Sequence, residues 1–391
     1  MAAIVLDLLL VLVLLGYLAA GVRNGLVRSL GGIAGVAAGG VLAYLSIPLV
    51  SQWVPNAAWR VPAILAVALL LISVGNAVGG AISSAIAPRR DSPLRSADRL
   101  AGGVAAPVVA ALVVSTVALG VAPLGIPVLS PAISGSRVLT TIDSLTPGVA
   151  KGWLAQARSY ATEQGIPTVV DAFDGTAPTL PEVDLASPGL TTAAASVVRI
   201  TGTAIACGQG QSGSGFVTSD DRVITNAHVV AGVEEPFVEA PGETMRAASV
   251  VYFDPVDDIA VLEVPGLHAA PLVTGGTAEP GTDGAVQGYP YGGPFTSIPA
   301  GVLQVGALGV QDIYGADPQP REVYTLASDV EPGNSGGPLL TTDGVVVGLV
   351  FAKGADVENV GYAATMAELQ PVLDRAPGLT APVSAGTCVA D

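Results

Sequence analysis

Ser335 stands among small, turn-permitting residues in Pro332-Gly333-Asn334-Ser335-Gly336-Gly337-Pro338, just ahead of an apolar run that begins at Leu339. A hydroxyl on so tight a turn is open to an approaching carbonyl carbon. The N–H groups of Gly333 and Ser335 can point together at the oxygen on which negative charge would develop. That is half of an acyl-transfer site. The other half is a base, and the chain has two histidines. His228 follows an alternating, β-prone run in Thr225-Asn226-Ala227-His228-Val229-Val230, whereas His268 follows Pro265-Gly266-Leu267 in a surface-type turn. An imidazole acting as a base needs a carboxylate to fix its tautomer and stabilise its charged form. Asp258, at the mouth of a buried-type strand in Asp257-Asp258-Ile259-Ala260-Val261-Leu262, is the candidate, with Asp257 as its rival. Alone, a Gly-Ser-Gly turn is a loop and a single histidine is a core residue. Three such motifs in one order weigh against that bland reading.

The elements that must position these groups are strands. From 195 to 391 short β-prone runs alternate with glycine and proline turns, at 195–200, 215–217, 223–227, 247–253, 259–264, 285–289, 301–310, 322–327, 336–340, 345–352 and 360–364. Many short strands at this spacing predict an all-β sandwich or barrel.

The order His, Asp, Ser with a Gly-x-Ser-Gly-Gly-Pro loop resembles the chymotrypsin-like serine proteases. The wording Asn-Ala-His, Asp-Ile-Ala-Val-Leu and Pro-Gly-Asn-Ser-Gly-Gly-Pro-Leu is most similar to their bacterial HtrA branch. The resemblance implies two six-stranded barrels with the site between them, His228 and Asp258 coming from the first and Ser335 from the second. It implies an endopeptidase in which Ser335 attacks, His228 takes and returns the proton, and Gly333 and Ser335 form the oxyanion hole. Digestive members of that superfamily carry aspartate just before the serine, paired with a newly cut amino terminus. Asn334 has no charge for such a pair, which argues against activation of that kind. Asp329, six residues before the serine, is either a lining residue of the primary pocket or a turn residue capping a strand. The run Val346 to Ala352, with Phe351 and Ala352 at its end, should offer an edge to which an extended substrate adds as a strand.

Cys207 and Cys388 are the only cysteines. Two residues are too few for a metal site, so a disulfide is expected in an oxidising compartment. No metal or cofactor is called for.

Residues 1 to 125 read differently. Four apolar segments, at about 4–22, 29–50, 61–87 and 100–125, each approach the roughly 20 residues that a helix needs to cross a bilayer. No basic region precedes the first and three more follow, which disfavours a cleaved signal peptide. Arg23 and Arg28 lie between segments one and two, Arg89, Arg90, Arg95 and Arg99 between three and four, and only Arg60 between two and three. By the positive-inside rule the first and third loops are cytoplasmic, so both termini lie outside. Gly31, Gly35 and Gly39, and likewise Gly75 and Gly79, recur every fourth residue, a spacing that lets helix backbones approach in lipid. The motif Gly21-Val22-Arg23-Asn24-Gly25-Leu26-Val27-Arg28 resembles the colicin V production (CvpA) family. A passive anchor is the plain reading of this half, with a transport or sensing role as the alternative.

Residues 126–194 form a Pro/Ala/Ser/Thr-rich connector with one amphipathic helix expected over 149–163, marked by Trp153, Leu154, Ala157 and Tyr160. Such a segment can lift a catalytic domain off the membrane and is a natural site of self-cleavage. The first 125 residues carry 7 basic and 3 acidic residues, and the remainder 9 and 29. A soluble part so acidic argues against nucleic acid as a partner. Three domains are expected: membrane helices over 1–125, a linker over 126–194 and a chymotrypsin-like domain over 195–391. The combination resembles the MarP-type membrane-anchored serine proteases of actinobacteria, which implies a cell-envelope enzyme acting on envelope proteins and connected with acid and oxidative stress. The contrasting reading is a catalytically silent membrane scaffold with a protease-like fold.

Overall fold

The computed structural model describes residues 2–53, 57–86, 94–121, 132–133, 136–148, 166–169, 176–204 and 209–389, with isolated positions at 150, 152 and 154. It divides into two compact units, Met1–Ala118 with Ser136–Leu145, and Leu119–Gly135 with Thr146–Asp391. The helix expected over 149–163 falls largely outside the described residues.

The first unit holds four long helices, α1 (Ala2–Asn24), α2 (Leu26–Trp53), α3 (Ala57–Ile86) and α4 (Leu94–Val121), each long and apolar enough to cross a membrane. The glycine spacing does what it predicts. A Cβ added at Gly35 would lie 2.0 Å from the carbonyl oxygen of Gly75, and one at Gly79 would lie 2.1 Å from that of Gly31, so α2 and α3 touch backbone to backbone. Between α1 and α2 the chain turns on Gly25 alone, at φ +87°. The carboxylate of Asp98 on α4 caps the new helix there, accepting the Val27 N–H at 3.2 Å. Asp7 on α1 does the same for α5 (Arg137–Leu145), accepting from the Ser136 hydroxyl at 2.5 Å and from the N–H groups of Arg137 and Val138 at 3.2 Å each. This sets α5 at the end of the bundle where α1 begins.

The second unit opens with β1 (Thr168–Val169) and α6 (Pro188–Ala193). A first sheet follows, made of β2 (Val197–Ala204), β3 (Gln209–Ser219) and β4 (Arg222–Thr225), then, after α7 (Ala227–Val230), β5 (Phe237–Glu239), β6 (Arg246–Ala247), β7 (Ser249–Asp254) and β8 (Ile259–Glu263). Its strand order is β6-β5-β2-β3-β4-β8-β7. The two end strands, β6 and β7, are parted in sequence only by Ala248, so the sheet curls until its ends meet. Counted as one interrupted strand, they make six.

The second sheet consists of β9 (Asp283–Gly288), β10 (Thr296–Val310), β11 (Gln319–Ala327), β12 (Pro338–Thr341), β13 (Val346–Gly354) and β14 (Val360–Thr365). It runs β13-β12-β9-β10-β11-β14 and closes through β13–β14, with β1 added on β13. The helix α8 (Met366–Leu373) follows β14, and a 3-10 turn at Ala376–Gly378 follows it.

Each sheet has its own apolar interior. Ile200, Val217, Val223, Val250 and Leu262 fill the first, and Val286, Tyr324, Leu326, Leu339 and Val350 the second. A third cluster, with Phe216, Ile224, Ile259, Leu340, Leu349 and Leu369, joins both sheets and α8. Each fully buried side chain of this size stabilises the fold by roughly 1.5–3 kcal/mol.

Strands β1 and β5 lie in stretches where the sequence predicts none, and two further features depart from expectation. Strand β3 begins at Gln209 rather than 215, because it pairs with β2 as far as Ala204↔Gln209 through a polar, glycine-rich stretch with no apolar period. Residues of the expected connector also belong to the peptidase unit. Leu190 is fully buried in the inter-sheet cluster, the Ser187 hydroxyl donates to the Thr342 carbonyl at 2.9 Å, and the Gln287 amide donates to the Leu190 carbonyl at 2.8 Å.

Candidate active site

Strand β4 delivers the chain into α7, a single buried turn that carries His228. Strand β8 starts at Ile259, and the residue before it is Asp258, held at φ +51°. A left-handed backbone at a residue other than glycine is uncommon, and it sets this aspartate apart from Asp257 beside it. The turn aims that carboxylate at the imidazole. Oδ2 of Asp258 lies 2.8 Å from Nδ1 of His228, and Oδ1 accepts the His228 backbone N–H at 2.9 Å. Asn226 ties the two segments together by donating its side-chain amide to the Asp258 carbonyl at 2.8 Å. His228 is 7% exposed and Asp258 4%. With the carboxylate ionised, Nδ1 carries the proton and Nε2 is left as the acceptor.

Asp257 has a different place. Its carbonyl accepts from the Arg321 guanidinium, which also lies 5.0 Å over the ring of Phe351. Burial, aided by the neighbouring Asp254 carboxylate, pushes the Asp257 carboxyl above its ordinary range.

In the second sheet the turn from Glu331 to Gly337 carries Ser335, and its backbone groups can be accounted for almost completely. The Pro332 carbonyl accepts from Tyr291 N–H, the Gly333 carbonyl from the Ser214 hydroxyl at 2.6 Å, the Asn334 carbonyl from Gly337 N–H and the Ser335 carbonyl from Ser214 N–H at 2.8 Å. Asn334 N–H donates to the Glu331 carbonyl and Gly336 N–H to the Val350 carbonyl. Gly333 stands at φ +94°, and a Cβ there would come within 2.5 Å of the Tyr289 carbonyl oxygen, so only glycine fits. Among the described residues the N–H groups of Gly333 and Ser335 have no internal acceptor. These are the two donors that an oxyanion hole requires.

Ser335 itself is 2% exposed, and its hydroxyl makes no hydrogen bond among the described residues. The His228–Asp258 bond is thus made while the Ser335 hydroxyl is unengaged, an arrangement common in peptidases before substrate binds.

Ser214 is a site residue that the sequence reading missed. Its side chain donates to the Gly333 carbonyl and accepts the Tyr289 N–H at 2.9 Å, its N–H holds the Ser335 carbonyl, and its own carbonyl accepts from the Thr225 hydroxyl at 2.7 Å. A serine flanked by Gly213 and Gly215 inside a strand was the available signal. Behind it, burial pushes the Tyr289 phenol up to about 12, so it remains a donor to the Val197 carbonyl at 3.2 Å.

The remaining expected residues fall as follows. His268 is exposed and faces Glu243, away from Ser335's turn in its contacts. Asp329 is exposed between the buried Ser328 and Val330. Phe351 and Ala352 are buried side chains on β13, which leaves their backbone as what they can present to a substrate. Cys207 lies outside the described residues. The tail that leads to Cys388 packs on the first sheet, Val383 N–H donating to the Val250 carbonyl at 2.8 Å and Gly232 N–H to the Ala385 carbonyl at 3.0 Å.

A double-barrel unit with these groups defines a trypsin-like serine peptidase. Residues 213–349, which include His228, Asp258 and Ser335, match the family described as trypsin-like peptidase domain, and residues 6–147 match that described as colicin V production protein. The chain is 40% identical over 276 residues, 67% of either chain, to serine protease Rv3671c of Mycobacterium tuberculosis. It is 32% identical over 167 residues, 42% of this chain and 39% of the other, to the putative serine protease HhoB of Synechocystis. Among solved structures, the active form of the Rv3671c protease superposes with a TM-score of 0.52 at 41% identity, covering 57% of this chain and 100% of that one. The chain belongs to the family of membrane serine proteases that join a colicin V production-type helical domain to a trypsin-like peptidase domain. It is a membrane-anchored serine endopeptidase.

Proposed function

We propose that Ser335 is the nucleophile, His228 the general base and acid, and Asp258 the group that orients and stabilises the imidazole. In this reading Ser335 attacks the scissile carbonyl as His228 Nε2 takes its proton, and the N–H groups of Gly333 and Ser335 hold the oxyanion. His228 then protonates the departing amine, and water repeats the sequence to free the acyl group. The observation that carries the reading is the doubly bonded His228–Asp258 pair, together with two unengaged N–H groups on the serine's own turn.

The distribution of Arg23, Arg28, Arg89, Arg90, Arg95 and Arg99 supports an orientation with the peptidase unit outside the cytoplasm, acting on proteins of the cell envelope. A part in acid and oxidative stress rests on the family resemblance alone. A bridge between Cys207 and Cys388 would fasten the tail to the first barrel in that oxidising setting. The test is a comparison of envelope proteins incubated with the wild-type chain and with Ser335→Ala. New amino termini that arise only with wild type are expected. An identical set from both proteins would overturn the proposal in favour of a silent scaffold.

A further inference from the structure

The edge of β13 that lies beside the nucleophile is already occupied. Strand β12 begins at Pro338, three residues after Ser335. It and the turn before it hold one edge of β13 as far as Val350, through Gly336 N–H to the Val350 carbonyl at 2.8 Å and Val350 N–H to the Gly337 carbonyl at 3.0 Å. The opposite edge belongs to β14 as far as Lys353↔Gly361. Strand β1 also pairs with Lys353, so it must lie on the β12 edge, continuing where β12 stops. There the Lys353 N–H donates to the Pro167 carbonyl at 3.0 Å and the Ala355 N–H to the Val169 carbonyl at 3.1 Å.

The side chains anchor this pairing. Ile166, 7% exposed, is a member of the apolar cluster that contains Val330 and Val350, on either side of the nucleophile turn in sequence. Val169 packs against the cluster of Phe351 and Ala352.

An extended substrate adds to a sheet through the free N–H and C=O groups of an edge. Beyond Val350 that edge continues at Lys353, whose N–H, with that of Ala355, the connector holds. We infer that residues 166–169 are an intramolecular competitor for the substrate-binding edge, and that the resting chain must release them before an extended peptide can bind. The inference rests on the triad reading given above. A competitor of this kind lowers the fraction of binding-competent molecules and so raises KM for strand-forming substrates, leaving the chemistry at Ser335 unchanged.

The experiment uses the full chain in dodecyl maltoside, with Ile166→Asp and, separately, Val169→Asp, each checked by thermal melting. Fluorescent casein reports strand-dependent hydrolysis, and a small fluorophosphonate, which needs no strand pairing, reports the nucleophile. Either variant is expected to lower KM for casein about tenfold, with fluorophosphonate labelling changed less than twofold. A synthetic peptide of residues 164–171 should inhibit the variants competitively. Unchanged KM in both folded variants, with wild type still labelled, would overturn the inference alone. Absence of labelling and of casein hydrolysis in every chain would overturn the triad reading, and the inference with it.

Discussion

Asp258 grips His228 twice, one carboxylate oxygen on the backbone N–H at 2.9 Å and the other on the ring Nδ1 at 2.8 Å. The first bond fixes where α7 sits, and the second fixes which ring nitrogen carries the proton. Losing the carboxylate should therefore cost catalysis more than stability. Asp258→Asn is expected to lower kcat by about 10⁴-fold through the wrong tautomer. Asp257→Asn is expected to keep kcat within a few-fold, since its side chain does not reach the imidazole. Steady-state kinetics of the two variants check this.

Asp257 bears instead on stability. Burial and Asp254 raise its carboxyl above its ordinary value of 3.8 in the fold, so the folded chain binds its proton more tightly than the unfolded chain does. Its favourable contribution is complete below that ordinary value and is lost as pH rises through the raised one. Asp257→Asn should therefore melt higher than wild type at neutral pH, and this advantage should vanish in acid. Melting curves from pH 3 to 7 measure it.

Ser214 supports the oxyanion turn through the Gly333 carbonyl, the Tyr289 N–H and the Ser335 carbonyl. In Ser214→Ala the backbone bond to Ser335 survives while both side-chain bonds go. The expected result is a fall in kcat of about 10–100-fold with little change in KM, smaller than the 10²–10³ typical of deleting an oxyanion donor outright. Weaker binding of a peptide boronate, a mimic of the tetrahedral state, would set a positioning role apart from simple loss of fold.

In the helical unit, Gly35 and Gly75 leave no room for a side chain. Gly35→Leu should destabilise the α2–α3 pair by about 1–3 kcal/mol, the usual cost of overpacking. Loss of helical signal on heating in detergent reports it.

How much of this was legible before the structure follows from what each feature is made of. Ser335, His228 and Asp258 announce themselves because each lies in a short motif whose residue types have few other uses. The helices and the Gly31/Gly35/Gly39 stripe are legible because lipid imposes length and spacing. Ser214 was missed because a hydroxyl between two glycines has no period, and its role arises only when β3 meets the turn of Ser335 from the other sheet. That Asp258 rather than Asp257 bonds His228 goes with a left-handed backbone at Asp258, an angle the sequence does not display. Strand β1 is two residues long, too short for any pattern, and exists only because β13 has an edge to accept it.

If the proposed triad is right, Ser335 is nucleophilic in the intact chain because of His228. The most direct measurement is the rate of fluorophosphonate labelling of the full-length protein, with the adduct located by peptide mapping. An adduct on Ser335 is expected, absent in Ser335→Ala and slowed at least a hundredfold in His228→Ala, as follows when the general base is removed. Labelling of Ser335 at the same rate with and without the imidazole would contradict the proposed triad.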